Sequence, residues 1–499
     1  MLPVQAGGFG AWMRDATNAV DYLVIAPRAF ADPARELAAY RSGMGLRTAV
    51  ALYEDICDQF AAGLNTPEAI RTMLSFAREN WAAAPWMVVL GGWGHYDYLG
   101  ATTATANPLP PLLASDSATL RPADGRFADL TGNEVPDLAI GRIPAQSVAQ
   151  FNAYIDKVKT YEAGGPQASY GQALFAADNA DDGGDFTASN RELATGTQVS
   201  YTPAFSTLDS NTVAGVRADI VSAFTNGLGL IHYTGHGSYQ QLAGENLLHV
   251  NDVNAMINPP VPLFISLTCL IGRFDMLNTR SLSEALVLRE GGGALAVYAP
   301  SGLSWNAHAI RFAQVFYRVH ATDLCNTIGL ALLQTRQYIG EQAGSYATSL
   351  RTYNLFGDPA LKLRGGESNA APIWVSQYPQ WRWERFATPE LQDPAISGSY
   401  HAPSDSGHVA DYIFGTRRPR LHIWTSASEN GLSWPARGIA TDVDFRLLMA
   451  PEPRGPWSVV EDANGITFQQ TDAHPLWEAN LRLPPASGRS FFKLEASVK

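Results

Sequence analysis

Over the first 365 residues, short continuous apolar runs alternate with longer stretches in which apolar residues recur every three or four positions. Residues 21–27 (DYLVIAP) form a run suited to a strand buried on both faces, and Asp32-Pro33 then supplies an N-cap and a proline for the first helical position. The alternation continues through a strand at 47–52 and a helix opened by Thr66-Pro67-Glu68, with Ile70, Met73, Leu74 and Ala77 on one face. Strands at 86–90 and 136–140 follow, then an amphipathic helix over 147–162 that ends at Gly164-Gly165-Pro166. A second series comprises strands at 172–176, 228–233, 263–267 and 294–299, with a helix at 281–289. Strands alternating with helices predict an α/β architecture of three layers, with mostly parallel sheets and right-handed crossovers.

The pattern divides the chain into an N-terminal extension (1–20), a first α/β subdomain (21–166) and a second (167–365). Residues 366–419 carry little periodicity and read as a linker. Short alternating runs such as 421–424 and 444–448 predict a small β-sandwich, of fibronectin III or immunoglobulin type, over 420–499. The length of 499 residues agrees with several domains, since single cores stop growing at roughly 250–300 residues.

A net charge of −12 without a basic cluster argues against nucleic acid as the main partner, and the sequence offers no apolar run long enough for membrane insertion. Residues 1–20 lack the basic start and apolar run of a signal peptide, so the chain is expected to be either cytoplasmic or a form whose export signal has been removed. Three widely spaced cysteines, Cys57, Cys269 and Cys325, suggest neither a disulfide framework nor a zinc ribbon.

The candidate chemistry lies at two predicted strand ends. His236 stands between Gly235 and Gly237 just after the 228–233 strand, and Cys269 follows the 263–267 strand about one crossover later. Ligands of open α/β sheets bind outside such carboxyl ends, where a thiol and an imidazole supply a nucleophile and a general acid and base. Taken alone, these residues would more often be an inert buried thiol and a structural histidine.

Their surroundings change that balance. Residues 233–238 (YTGHGS), Cys269, Gly272, Glu284-Ala285-Leu286, 300–305 (PSGLSW) and 356–359 (FGDP), preceded by 81–92 and 137–142 (DLAIGR), together resemble the gingipain-like cysteine peptidases. That family has the caspase-like fold shared with caspases and legumains, and the likeness spans roughly residues 21–365. The resemblance implies Cys269 as nucleophile, His236 as proton donor to the leaving amine, and the N–H groups of Gly237 and Cys269 as an oxyanion hole. It implies Asp137 as the carboxylate that orients the histidine, the alternative being an exposed strand-end aspartate. Ser304 and Trp305 would contact substrate, with the indole suited to an Arg or Lys side chain, unless Trp305 is a core residue. The stretch after Arg142 offers no acid to complete a basic pocket. Also implied are protein or peptide substrates, no cofactor for catalysis, and a secreted or cell-surface location.

Four carboxylates in one turn, Asp178, Asp181, Asp182 and Asp185, suit a structural calcium ion or form a plain acidic turn. His232 reads as a packed strand residue, and 91–97 (GGWGHYD) as either a substrate-contacting or a structural turn. Two rival functions stay open: a catalytically silent surface or adhesion protein that works through its C-terminal β-domain, and a transpeptidase using the same acyl-enzyme.

Overall fold

The computed structural model describes residues 10–363, apart from breaks at 102, 104, 117–118, 165–166, 197–200, 258–260, 321–326 and 343–350, together with strands between His422 and Val498. The expected linker at 366–419 lies outside the described residues, as do positions 1–9 of the extension. One compact unit runs to Asn369 and a second begins at Ala370.

The first unit opens with β1 (Tyr22–Ala26), α1 (Ala31–Gly43), β2 (Thr48–Leu52), α2 (Tyr53–Phe60), α3 (Glu68–Asn80) and β3 (Met87–Gly91). A hairpin of β4 (Leu113–Ser115) and β5 (Leu120–Pro122) leads to β6 (Ala139–Ile143) and α4 (Val148–Ala163). Then come β7 (Gln172–Ala177), α5 (Phe186–Gly196), β8 (Thr202–Thr207), α6 (Val213–Thr225) and β9 (Leu230–Thr234). Three short strands, β10 (Gly237–Ser238), β11 (Gln241–Leu242) and β12 (Leu248–His249), precede α7 (Val250–Val253), β13 (Val261–Leu267), α8 (Leu282–Leu288) and β14 (Ala294–Pro300). Helices α9 (Asn306–His320) and α10 (Ile328–Gln342) and strand β15 (Tyr353–Phe356) complete the unit.

The two predicted halves share a single ten-stranded sheet, ordered β2-β1-β3-β6-β15-β14-β13-β9-β7-β8. Each block is internally parallel, and among the described strands of this sheet the one antiparallel pairing joins β14 to β15. The two linked subdomains expected from the sequence are thus joined edge to edge through one mostly parallel sheet. Strand β15 comes late in the chain yet fills the seam between β6 and β14, a pairing that no local pattern encodes. Because the blocks run in opposite directions, the carboxyl ends of β14, β13, β9, β7 and β8 share one edge with the amino ends of β15, β6, β3 and β1.

Helices on both faces make the third layer. Strands β2 and β3 flank β1 on opposite sides, so right-handed crossovers place α1 and α3 on opposite faces of the sheet. Strand β1 obeys the same division. Leu23 and Ile25 pack with Ile56, Ile70, Met73 and Leu74 of α2 and α3, while the Tyr22 hydroxyl joins a buried polar network with Arg41 of α1. Ser147 caps α4 by accepting from the Gln150 amide, and Ser281 and Glu284 form a reciprocal capping box on α8. Helix α1 begins at Ala31, so Asp32 and Pro33 occupy its first turn and not the cap.

In the second unit, strands at 422–425, 430–436, 477–482 and 467–470 form one antiparallel sheet, and strands at 458–459, 443–450 and 491–498 form another.

Candidate active site

Strands β9 and β13 are adjacent and parallel, with Thr234 paired to Leu267. His236 and Cys269 each follow that pair by two residues, so they emerge side by side from strands ~4.8 Å apart. Gly235 takes φ 154°, a left-handed value open to glycine, and turns the chain so that His236 leaves the sheet. Leu270, directly after the thiol, holds φ 64°, a strained conformation for a leucine and of the kind found at functional turns. Its N–H donates to the Gly302 carbonyl at 3.1 Å, which ties the Cys269 turn to the segment after β14.

The Cys269 thiol lies against that segment. The Ser304 N–H donates to Sγ at 3.4 Å, and Sγ faces the Ser304 carbonyl at 3.8 Å. Burial pushes the thiol pKa up, against the lowering effect of the Ser304 N–H and with a further rise from the negative charge of Asp116. Trp305 is 71% exposed and so is not a core residue. Ser304 is held by a 2.7 Å hydrogen bond between its hydroxyl and that of Tyr353 on β15. Asp116, at the tip of the β4–β5 hairpin, accepts from the Leu303 N–H at 3.0 Å and pairs with Arg121, bracing the same wall.

Gly237 packs on the turn that carries Cys269. A methyl group there would come within 2.5 Å of Thr268 Oγ1 and 3.1 Å of the Cys269 carbonyl oxygen, which is the local reason for glycine. The Ala243 N–H donates to the His236 carbonyl, which makes Gly237 and Leu242 a non-hydrogen-bonded pair. The Gly237 N–H therefore points away from the hairpin. Together with the Cys269 N–H it can serve as a donor to an oxyanion.

The imidazole is positioned by the turn after β7. Its Nε2 donates to Asp181 Oδ2 at 2.9 Å, and the Phe186 ring meets it edge to face at 5.6 Å. The Gly183 N–H, and secondarily the histidine, hold the Asp181 carboxyl below its ordinary range. With Nε2 engaged, Nδ1 is the nitrogen left to exchange a proton with substrate. Below the ring, the His236 N–H donates to Asp178 Oδ2 at 3.2 Å and the Tyr233 hydroxyl donates to the His236 carbonyl at 2.8 Å. Burial raises the Asp178 pKa, partly offset by the amides it accepts from.

Asp137 does not orient His236. It stands just before β6, at the same sheet edge but four strands from β9, or ~19 Å at the usual strand spacing. Its carboxylate accepts from the Leu130 and Thr131 amides and pairs with Arg78 at 2.9 Å. The orienting contact comes from Asp181, one of the residues grouped as calcium ligands. Replacing Asp181 with asparagine is expected to lower kcat by roughly 10–100-fold, and Asp137→Asn by less than about twofold, in a steady-state peptide assay. Equal losses from the two substitutions would restore the role to Asp137.

The acidic turn does not gather its carboxylates around a cation. Asp178 faces the amides of Asn179 and His236, Asp181 faces Gly183 and the imidazole, Asp185 accepts from the Ala188 N–H at the start of α5, and Asp182 is exposed. Among the described residues no group of three or more His, Cys, Asp or Glu side chains is placed to hold a metal ion. His232 is buried between the Tyr317 hydroxyl at 2.6 Å and the Thr234 hydroxyl at 2.9 Å, and burial lowers its pKa to about 3, the signature of a packed neutral imidazole. The 91–97 turn lies at the opposite sheet edge, since β3 runs against β13. There His95 is buried, and the Trp93 indole donates to the Phe274 carbonyl at 2.7 Å.

Several contributors escaped sequence reasoning. Asp181, Asp116 and Tyr233 act through contacts made only after the turns pack, and the 137–142 motif matters through its arginine. Arg142 is fully buried, pairs with Asp124 at 2.6 Å and lies over the Phe274 ring at 4.7 Å, so it ties the Asp124–Phe127 turn to β6.

Known proteins resemble this chain in sequence and in fold. Gingipain R2 of Porphyromonas gingivalis strain W83 is 25% identical over 368 residues, which cover 68% of this chain and 46% of the relative. Gingipain R1 of the same species is 24% identical over 368 residues, covering 68% of this chain and 34% of the relative. The chain thus spans less than half the length of these curated relatives. Among solved structures, the Arg-specific cysteine proteinase gingipain R superposes with a TM-score of 0.57 at 17% identity, over 95% of this chain and 93% of that one. The complex of Porphyromonas gingivalis RgpB pro- and mature domains also superposes with a TM-score of 0.57 at 17% identity, over 95% of this chain and 99% of that one. These superpositions place the α/β unit in the caspase-like fold. The family model for Peptidase family C25 matches residues 15–364, most of the chain and the whole of the site, and the chain belongs to that family.

Proposed function

We propose that this protein is a cysteine endopeptidase that cuts polypeptides after arginine or lysine. The observation that supports the chemistry is the register of β9 and β13, which brings His236 and Cys269 out of adjacent strand ends, with the Gly237 N–H outside the hairpin pairing. His236 takes the Cys269 thiol proton as the sulfur attacks the peptide carbonyl, and the oxyanion draws on the Gly237 and Cys269 amides. Nδ1 of His236 delivers a proton to the leaving amine, and water then releases the acyl group from sulfur. The resemblance to gingipains supports protein substrates and a secreted or cell-surface location.

Selectivity for a basic side chain rests on the walls beside the thiol. Trp305 exposes its indole face, and Gly184 packs against the Asn306 side chain next to it, so the Asp181–Asp185 turn and the tryptophan border the same space. The exposed carboxylates of Asp182 and Asp185 supply there the negative charge that the stretch after Arg142 lacks. A guanidinium or ammonium stacked on the indole would pair with them.

A fluorogenic panel varying the residue before the cut bond tests this reading. Arg and Lys substrates should lead, and Asp182→Asn with Asp185→Asn should lower kcat/KM for them by about 10–100-fold with little change for uncharged residues. Preference for Asp or Asn, or indifference to both substitutions, would overturn the specificity. Product masses showing amine transfer in place of hydrolysis would make the enzyme a transpeptidase.

A further inference from the structure

Although the chain carries a net charge of −12, four of its arginines line one cavity of about 430 Å³: Arg71, Arg126, Arg336 and Arg351, with Asp129 and Glu134 beside them. Both carboxylates are already engaged. Asp129 accepts from the Gly132, Asn133 and Glu134 amides, and Glu134 pairs with Arg351 at 3.1 Å. Arg71 donates to the Asp129 carbonyl at 2.7 Å and Arg126 to the Leu113 carbonyl, both neutral acceptors. Among the described residues no carboxylate pairs with Arg71, Arg126 or Arg336, and Nε of Arg351 is buried without an acceptor. Guanidiniums converging on one concavity of an acidic protein, with a buried donor unused, are arranged for an anion that presents several oxygens.

The cavity is built on rigid structure. Gly125 lies directly beneath the Arg336 guanidinium, where any side chain would fill the space, and it belongs to a short 3-10 turn, Asp124–Phe127. Asp124 is locked by its buried ion pair with Arg142. Another wall is β4, whose hairpin carries Asp116 and so braces the Leu303–Trp305 segment beside the nucleophile. The lining residues lead into the start of β6, which shares the sheet edge with the ends of β9 and β13.

We infer that this cavity is an exosite that binds acidic side chains of a polypeptide away from the bond to be cut. Polypeptide is favoured as the occupant because a substrate of the proposed peptidase would lie along this sheet edge, a point that rests on the preceding reading. Carboxylates spaced along an extended segment would each meet a guanidinium in a fork geometry. Such remote binding energy tightens the hold on acidic proteins without touching the reacting atoms.

Binding can be measured apart from catalysis, on the full chain carrying Cys269→Ala, by fluorescence anisotropy with labelled hexaglutamate. Saturable binding is expected, weakened about tenfold or more by Arg336→Gln and by Arg71→Gln, diminished by added salt, and absent with hexaglutamine. In the active protein, Arg336→Gln should raise KM for a peptide extended by an acidic tail while leaving a short fluorogenic peptide unchanged. Hexaglutamate binding unaltered by either arginine substitution, or no saturable binding at all, would overturn the proposal. Binding of inorganic pyrophosphate without hexaglutamate would replace the polypeptide with a small phosphorylated ligand. Because the binding arm uses an inactive protein, its result stands whether or not the peptidase reading does.

Discussion

Replacing Cys269 with alanine is expected to lower kcat/KM toward a peptide substrate by about 10⁴-fold or more, with the thermal unfolding profile unchanged. Among the described residues, neither the Ser304 and Thr268 hydroxyls nor the Cys57 thiol is placed to take over the attack. The Ser304 hydroxyl is committed to Tyr353, Thr268 Oγ1 is buried against Gly237, and Cys57 sits in the core under α3. Losing the sulfur also removes no large packing contribution, because the thiol lies in a partly open site. The pH dependence follows from the raised thiol pKa. A thiol above its ordinary value of 9.0 is mostly protonated near neutrality, so alkylation by iodoacetamide should accelerate about tenfold per pH unit as pH rises toward that value. A rate flat across neutral pH would mean that a preformed ion pair with His236 holds the thiolate. Residual turnover within about tenfold of the parent protein would remove Cys269 from the mechanism altogether.

Asp358→Ala is expected to destabilise the protein by about 3–5 kcal/mol, the usual result of stripping one partner from a buried charge. Asp358 is fully buried just after β15, where Oδ2 accepts from Arg41 Nε at 2.7 Å and Oδ1 from the Tyr22 hydroxyl at 2.9 Å. The attraction of Asp358 and Glu162 keeps Arg41 charged despite its burial. Without the carboxylate, Arg41 retains Glu162 at 2.8 Å but loses the acceptor that ties α1 to the seam strand. Denaturant unfolding of the full chain, followed by tryptophan fluorescence, would show the shift, and Asp358→Asn should recover part of it by keeping the tyrosine contact. A midpoint displaced by less than about 1 kcal/mol would show that water or Glu162 satisfies Arg41 without help. In this network the 356–359 segment is a structural lock between the seam strand and β1 and α1.

Local physics made much of this protein legible in advance. Continuous apolar runs bounded by turn residues identified β1, β3, β7, β9, β13 and β14, because strands buried on both faces must be apolar at every position. That His236 and Cys269 follow neighbouring strand ends was legible too, since both come just after such runs, beside glycines that a tight turn needs. Strand β15 and the opposed direction of the two blocks were not, because pairing across some 200 residues depends on which edges meet after the helices pack. Hidden for the same reason were the replacement of Asp137 by Asp181 beside the histidine, the bracing of Trp305 by Asp116, and the arginines gathered from the 71, 126, 336 and 351 positions. A run of residues can declare its own burial, and a catalytic residue can declare its turn. The partner of a charged side chain is decided only when distant segments are brought within about 3 Å, and that distance belongs to the tertiary structure.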